Sequence, residues 1–309
     1  MNENEEIFKK YLSFYWLRPD NAVSQTLRSI SMKDIKFEHP SIDISCGDGL
    51  FMFYHLGGET DFDFDGFTST QAKNFKHEKF IDIYNNEDKY YEVPITKVPH
   101  TQIDYGTDWK QALLDKASKL GIYKKTVLFD CNDVPFPFKD NYFKTIYDNS
   151  LHWIKNAEPV VKDMYRMLRP DGSVLLHVIT PYQFETLDEL EPLLSKEAIN
   201  ILNRQRRETM SGRRTLEEWS EMFTDSGFKV QMVKNIIPNK LFTDIWNTGP
   251  RPFIHLLAQM VEQLEPSERN RIKEEWMDIC FELFKPFLSM EITYPLRKAP
   301  HLLFKLVKE

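Results

Sequence analysis

The residues with most to offer chemically are Asp43-Ile44-Ser45-Cys46-Gly47-Asp48-Gly49. A short strand over Ser41–Ser45 runs into this turn, whose glycines let the backbone approach a ligand closely. The N–H groups opening the following helix can hold a carboxylate or a phosphate. Gly47 and Gly49 fit two positions of the dinucleotide fingerprint G-x-G-x-x-G, but Met52 stands where close helix packing wants Gly or Ala. The Gly-Lys-Ser/Thr ending of a phosphate-cradling loop is absent. Three acids, Asp104, Asp130 and Asp148, close successive apolar segments further on. Ligands of an open parallel sheet bind at the carboxyl ends of its strands. An ionised carboxylate only accepts hydrogen bonds, so one at the second strand end suits vicinal ribose hydroxyls and one at the third suits an adenine amino group. The set describes an adenosine-shaped slot with a zwitterionic tail near Gly47 and Gly49.

Elements able to position these acids follow from periodicity. The first forty residues read as helical, with Ile7, Tyr11, Phe14 and Tyr15, then Val23, Leu27 and Ile30, at helical spacing. Residues 57–100 hold no clear period. Thr101–Asp104 reads as a strand end, and Asp108 as the cap of a helix with Trp109, Ala112, Leu113, Ala117 and Leu120 on one face and Gly121 as its stop. Strands follow at Thr126–Phe129, Tyr142–Tyr147 and Val174–Ile179, with a helix between the last two that ends at Pro170-Asp171-Gly172. Thr215 and Glu218 form a capping box. Strands over Phe228–Val233 and His301–Val307 bracket residues 239–298, where two helices are predicted, one over about 252–264 and one starting near Pro266. The second puts Ile272, Trp276, Ile279, Leu283 and Phe287 on an inward stripe. Strands alternating with helices predict an α/β sandwich with parallel pairing.

In order and spacing these blocks resemble the class I S-adenosylmethionine-dependent methyltransferases, in their small-molecule, type 11-like branch. The resemblance spans Ser41 to about Val233, interrupted over 57–100 and rejoined at His301. It rests on the Asp43–Gly49 turn, on Asp130-Cys131-Asn132-Asp133-Val134-Pro135-Phe136-Pro137 and on Asn149-Ser150-Leu151-His152-Trp153. It rests also on Met167-Leu168-Arg169-Pro170-Asp171-Gly172 and on Asp225-Ser226-Gly227-Phe228. It implies a Rossmann-like doubly wound sheet, mostly parallel with an antiparallel last strand, and S-adenosyl-L-methionine as cofactor. The turn of Asp43, Ser45, Gly47 and Gly49 would take the methionine moiety, Asp104 the ribose, and Asp130 with Cys131 the adenine. Asp148 would close the fourth strand, beside the transferred methyl group. Ser45 departs from the family, which has glycine there, and a serine takes positive φ only at a cost. The expected organisation is a helical segment over 1–40 covering the cofactor and a core over 41–238 and 299–309 with an insertion at 57–100. A helical insertion over 239–298 would form a substrate lid.

Four further features have two readings each. His152 could act as a general base, or pack locally beside the cofactor. Arg18 could clamp the cofactor carboxylate with Trp16 closing over it, or be a surface arginine beside a core aromatic. Asp61-Phe62-Asp63-Phe64-Asp65-Gly66 imitates the start of a calcium loop, but Ala72 stands where the bidentate Glu belongs, so no metal is expected. Arg204, Arg206, Arg207, Arg213 and Arg214 could hold a substrate phosphate or carboxylate, although a solvated helix face is the commoner explanation. With 41% hydrophobic residues and a net charge of −7 over 309 residues, disorder is excluded as the dominant state. No apolar run reaches the length of a bilayer span, and the amino end is acidic where a signal peptide starts basic. Three cysteines at no metal-ligand spacing point to free thiols in a reducing compartment. The expectation is a cytoplasmic enzyme acting on a small-molecule acceptor, with a sugar or sugar-linked metabolite as candidate and no nucleic acid as partner. A nicotinamide (NAD-type) oxidoreductase and a catalytically degenerate scaffold remain as alternatives.

Overall fold

A computed structural model describes residues 2–67 and 92–308. Its centre is a sheet of seven strands: β1 (Ser41–Ile44), β4 (Ile103–Asp108), β5 (Tyr123–Leu128), β6 (Phe143–Asp148), β7 (Leu168–Ile179), β8 (Phe228–Asn235) and β9 (His301–Lys308). They lie in the order β5-β4-β1-β6-β7-β9-β8, and a separate ribbon pairs β2 (Glu59–Thr60) with β3 (Ile95–Lys97). The first five sheet strands pair in parallel, whereas β9 runs antiparallel between β7 and β8. All four residues of β1 are buried, as expected of a central strand covered on both faces. From β1 the chain winds outward first to β4 and later to β6, and this reversal opens a crevice at their carboxyl ends.

Two apolar layers cover the sheet. One holds α5 (Glu158–Met167) and α9 (Leu216–Asp225), with Met164, Trp219 and Phe223 against Phe143 and Phe304. The other holds α1 (Glu3–Phe14), α2 (Pro19–Met32), α3 (Leu50–His55) and α4 (Gln111–Lys119), and it continues into the helices around residues 240–288. Past β7 come α6 (Glu185–Leu190), α7 (Lys196–Asn203) and α8 (Arg206–Thr209). The insertion before β9 contains three α-helices where two were expected: α10 (Lys240–Thr248), α11 (Ile254–Glu262) and α12 (Pro266–Phe284). Among the described residues no helix is long and apolar enough to cross a membrane.

Three local expectations are corrected. Residues 101–104 begin a strand and do not end one, because the chain stays extended through Tyr105-Gly106-Thr107-Asp108. Gly106 is a packing position within this strand: a Cβ there would lie 2.9 Å from the Tyr123 ring. The helix after β4 starts at Gln111 with Lys110 as its cap, which leaves Trp109 59% exposed. On α12 the buried positions are Arg269, Lys273 and Cys280, while Ile279 and Leu283 face outward. The inward face is turned by charge: Asp65, fully buried, ion-pairs with Arg269 at 2.7 Å and with Lys273 at 3.6 Å, and accepts from Trp16 Nε1 at 2.9 Å. The calcium-like Asp61–Gly66 stretch is thus an anchor for α12, with Asp63 accepting from Asn270. Position Ala72 lies outside the described residues.

Candidate active site

The crevice holds a cavity of about 630 Å³, within the range of small-molecule sites. Its floor is the turn between β1 and α3, contributing Asp43, Ser45, Cys46, Gly47, Asp48 and Phe51. The next wall comes from Asp108 to Lys110 after β4, and another from Asp130, Cys131 and Asn132 after β5. Asn149, Ser150, Trp153 and Ile154 follow β6, and Tyr15, Gln25 and Arg28 close over from the amino-terminal helices. Ser45, Gly47 and Gly49 have φ of 55°, 61° and 77°. The serine therefore adopts the left-handed conformation that the turn needs, at a cost of about 1 kcal/mol. Gly47 faces the cavity and donates its N–H to Asp108 Oδ2 at 3.1 Å. Gly49 serves packing: it caps α3, and a Cβ would sit 3.0 Å from the Tyr123 ring and 3.1 Å from Leu120.

The floor is acidic. Asp43 is buried and accepts from the Tyr123 hydroxyl at 2.5 Å. Burial, offset in part by that bond and reinforced by the charges of Asp148 and Asp108, pushes its carboxyl up to about 7. Burial raises Asp108 as well, although the amides of Lys110 and Gly47 favour its ionised form. Burial lifts Asp148 to about 6 against the hydrogen bonds from Ser150 and Leu151. Neither Asp43 nor Asp108, both on the cavity wall, ion-pairs with a described residue, so a ligand carrying positive charge would find two carboxylates short of a counter-ion. Two cations line the cavity, Lys110 beside Asp108 and Arg28. Arg28 stacks on Phe51 with its guanidinium carbon 3.5 Å from the ring centroid, and its buried Nε has no partner.

Residues 98–176, which include β4 through most of β7, match the family model described as a methyltransferase domain. Over that stretch the chain is similar to methyltransferase domains. No curated protein matches the chain. Among solved structures, an S-adenosylmethionine-dependent methyltransferase from Thermotoga maritima is 14% identical, at a TM-score of 0.47 over 99% of this chain and 100% of that one. The [4+2]-cyclase SpnF is 11% identical, at 0.48 over 93% and 80%. The geranyl diphosphate C-methyltransferase of Streptomyces coelicolor is 10% identical, at 0.43 over 91% and 77%. These likenesses are too distant to carry an argument about substrate.

Of the site residues named from the sequence, Asp43, Ser45, Gly47, Asp130 and Cys131 line the cavity. Five expected site residues do not, Gly49 having the packing role already described. Asp104 lies at the amino end of β4, on the far side of the sheet, where it binds Lys124 at 2.7 Å, His39 at 2.6 Å and the Ser41 amide at 2.7 Å. The acid at the carboxyl end of the same strand is Asp108. Arg18 is buried in a two-pronged pair with Asp20, and the cavity's arginine is Arg28, three turns along. Asp148 is fully buried and shapes the turn after β6 by accepting from Ser150 N, Ser150 Oγ and Leu151 N. His152 is 2% exposed and absent from the cavity wall, with Trp153 beside it taking that place. Burial, with the charges of His301, Arg28, Arg213 and Arg206, pushes it well below the usual histidine range, so it is neutral. Arg28 and Trp153 were readable only as helix and core residues, since neither lies at a strand end. Asp108 was the last acid before a helix, and its strand was hidden by Gly106.

Proposed function

We propose that the protein transfers a methyl group from S-adenosylmethionine to an oxygen, nitrogen or carbon of a small-molecule acceptor, sugars and sugar-linked metabolites among the candidates. The observation that carries this reading is the pair of carboxylates without counter-ions at a glycine turn, with one arginine on the same cavity wall. The cofactor has two cationic centres and one carboxylate, which such a set complements. The pyrophosphate of a dinucleotide would bring two negative charges against Asp43 and Asp108, which disfavours the nicotinamide alternative.

In this reading Asp108 accepts from the ribose hydroxyls, Asp130 and Cys131 flank the adenine, Asp43 faces the ammonium, and Arg28 holds the carboxylate. When bound, the cofactor supplies an electrophilic methyl group on a sulfonium. The chain's task is then alignment and exclusion of water. Tyr15 and Trp153 wall the cavity from opposite elements, and α1 and α2 are held over it by the packing of Phe8 on Phe281 and Trp16 against Trp276. The 239–298 helices support this cover from behind. No proton transfer is assigned to His152, because it does not reach the cavity surface. Calorimetric titration with S-adenosylmethionine, S-adenosylhomocysteine and NAD tests the reading. Binding of the first two and not the third is expected, and binding of NAD alone would refute it.

A further inference from the structure

Methyl transfer to a hydroxyl leaves a proton to be removed, and His152 does not reach the cavity. A side chain on the cavity wall that can open such a path is Tyr147, next to the carboxyl end of β6. Its ring lies 6.2 Å from that of Phe51, on which Arg28 stacks, and both of those residues also line the cavity. The Tyr147 hydroxyl is 3.2 Å from Nδ1 of His177, a buried residue of the neighbouring strand β7. His177 Nε2 is in turn 3.1 Å from Ser31 Oγ, at the end of α2. A chain of hydrogen bonds therefore runs from the cavity wall to a buried histidine that the proposed function leaves unused.

The serine sets the direction of every bond in this chain. Ser31 has a single hydroxyl proton and donates it to the Arg28 carbonyl at 2.7 Å, so towards His177 it accepts. His177 Nε2 therefore carries the ring proton, Nδ1 is bare, and the Tyr147 hydroxyl donates to Nδ1. Burial, then the charges of Arg28, His301, His55 and His152, push His177 well below the usual histidine range, and it rests neutral. Arg28, Asp43 and Asp148 are the charged groups acting on Tyr147, and burial outweighs them to keep its phenol protonated. The resting pair is thus a phenol with lone pairs to spare, backed by an imidazole nitrogen able to take one proton. Simple packing would be served by either tautomer of His177, whereas a proton acceptor behind Tyr147 requires the one that Ser31 enforces.

We infer that the acceptor is a hydroxyl compound and that Tyr147 is the catalytic base for it, with His177 as the destination of the proton. This rests on the reading of the cavity as a methyl-transfer site and deepens it. The acceptor oxygen bonds to the methyl carbon as the carbon–sulfur bond breaks and its electron pair stays on sulfur. The hydroxyl proton passes to Tyr147 Oη, while Tyr147's own proton passes to His177 Nδ1. The positive charge lost from sulfur reappears on the imidazole, so the enclosed site ends with the charge it began with and no additional ion is buried. A carboxylate held by Arg28 would also offset the charge that opposes protonation of His177.

The experiment titrates para-nitrophenol, which turns yellow on ionising, into the full chain saturated with S-adenosylhomocysteine, at a pH below the probe's own pKa. Saturable formation of yellow phenolate is expected. Tyr147→Phe and His177→Gln should each lower the bound phenolate-to-phenol ratio by at least about tenfold. His55→Gln, which alters a histidine bonded to Ser29 outside this chain, should not. Titration of every variant with S-adenosylhomocysteine reports an intact fold, and His177→Gln carries the test should Tyr147→Phe not fold. A probe that fails to bind, or binds and stays colourless, overturns the inference. So does colour that persists in Tyr147→Phe and His177→Gln, as it would if Arg28 alone held the phenolate, and so does an equal loss in His55→Gln. If S-adenosylhomocysteine binds and no phenolate forms, this inference alone falls. If S-adenosylhomocysteine does not bind the unaltered chain, the methyl-transfer reading beneath it falls as well.

Discussion

Asp104 and Asp108 stand at opposite ends of one strand, and exchanging their charges for neutral groups should have opposite consequences. Asp104 is mostly covered, and its bonds to Lys124, His39 and the Ser41 amide outweigh the upward push of burial to hold it at about 2, against an ordinary 3.8. That difference corresponds to about 2 kcal/mol of folding stability when the group is ionised. The folded-state value is depressed, so the contribution is complete above pH about 4 and disappears as pH falls towards about 2. Asp104→Asn should therefore lose about 2 kcal/mol in urea unfolding at pH 7 and progressively less in acid, while S-adenosylhomocysteine affinity stays within about twofold. Asp108→Ala should do the reverse. It removes an acceptor for ribose hydroxyls, worth about 1.5–3 kcal/mol for a charged partner, or at least about tenfold in affinity. Little stability should be lost with it, because burial makes the Asp108 charge costly in the free protein. Calorimetry beside urea melts reads both quantities. If Asp104→Asn weakens the cofactor while Asp108→Ala does not, the orientation of the site is wrong.

Asp43, raised to about 7 by burial, should ionise when a cationic ligand arrives, so S-adenosylmethionine affinity should climb between about pH 6 and 8 with release of a proton; calorimetry in two buffers of different ionisation enthalpy measures that proton, and a flat profile refutes the contact. Arg28→Met should reduce affinity for S-adenosylhomocysteine by at least about tenfold and matter far less for a decarboxylated analogue, which a titration with both ligands would reveal. Ser45→Gly should raise stability by up to about 1 kcal/mol by releasing a strained φ, whereas Gly49→Ala should lower it by more than about 1 kcal/mol; thermal melts of the two variants check the pair.

The parts that were legible depend on neighbours in sequence. The Asp43–Gly49 turn, the Asp130-Cys131 block and the Thr215–Glu218 capping box all form locally, the last with both reciprocal bonds present. What failed depended on partners far along the chain. Gly106 punctuates a sequence as a turn would, and only the Tyr123 ring across the sheet explains it as strand. Arg18 and Arg28 are both basic residues of the same region, and what separates them is that Asp20 pairs with Arg18 while Arg28 stacks on Phe51. The outward turn of Ile279 and Leu283 follows from Asp65, more than two hundred residues earlier, capturing Arg269 and Lys273. Long-range ion pairs leave no periodic trace, so a hydrophobic stripe alone misjudges which side of α12 faces in.

The place of β9 has a bearing on how the protein is made. Residues 301–308 slot between two strands that were synthesised long before, one ending at Ile179 and the other at Asn235. Until they emerge from the ribosome, Val174 to Ile179 and Phe228 to Asn235 each present a bare row of amides and carbonyls that invites pairing with another chain. The nascent protein must carry these two sticky rims through the whole synthesis of α10, α11 and α12. A stop codon shortly before His301 should accordingly yield insoluble material, and not merely a smaller enzyme.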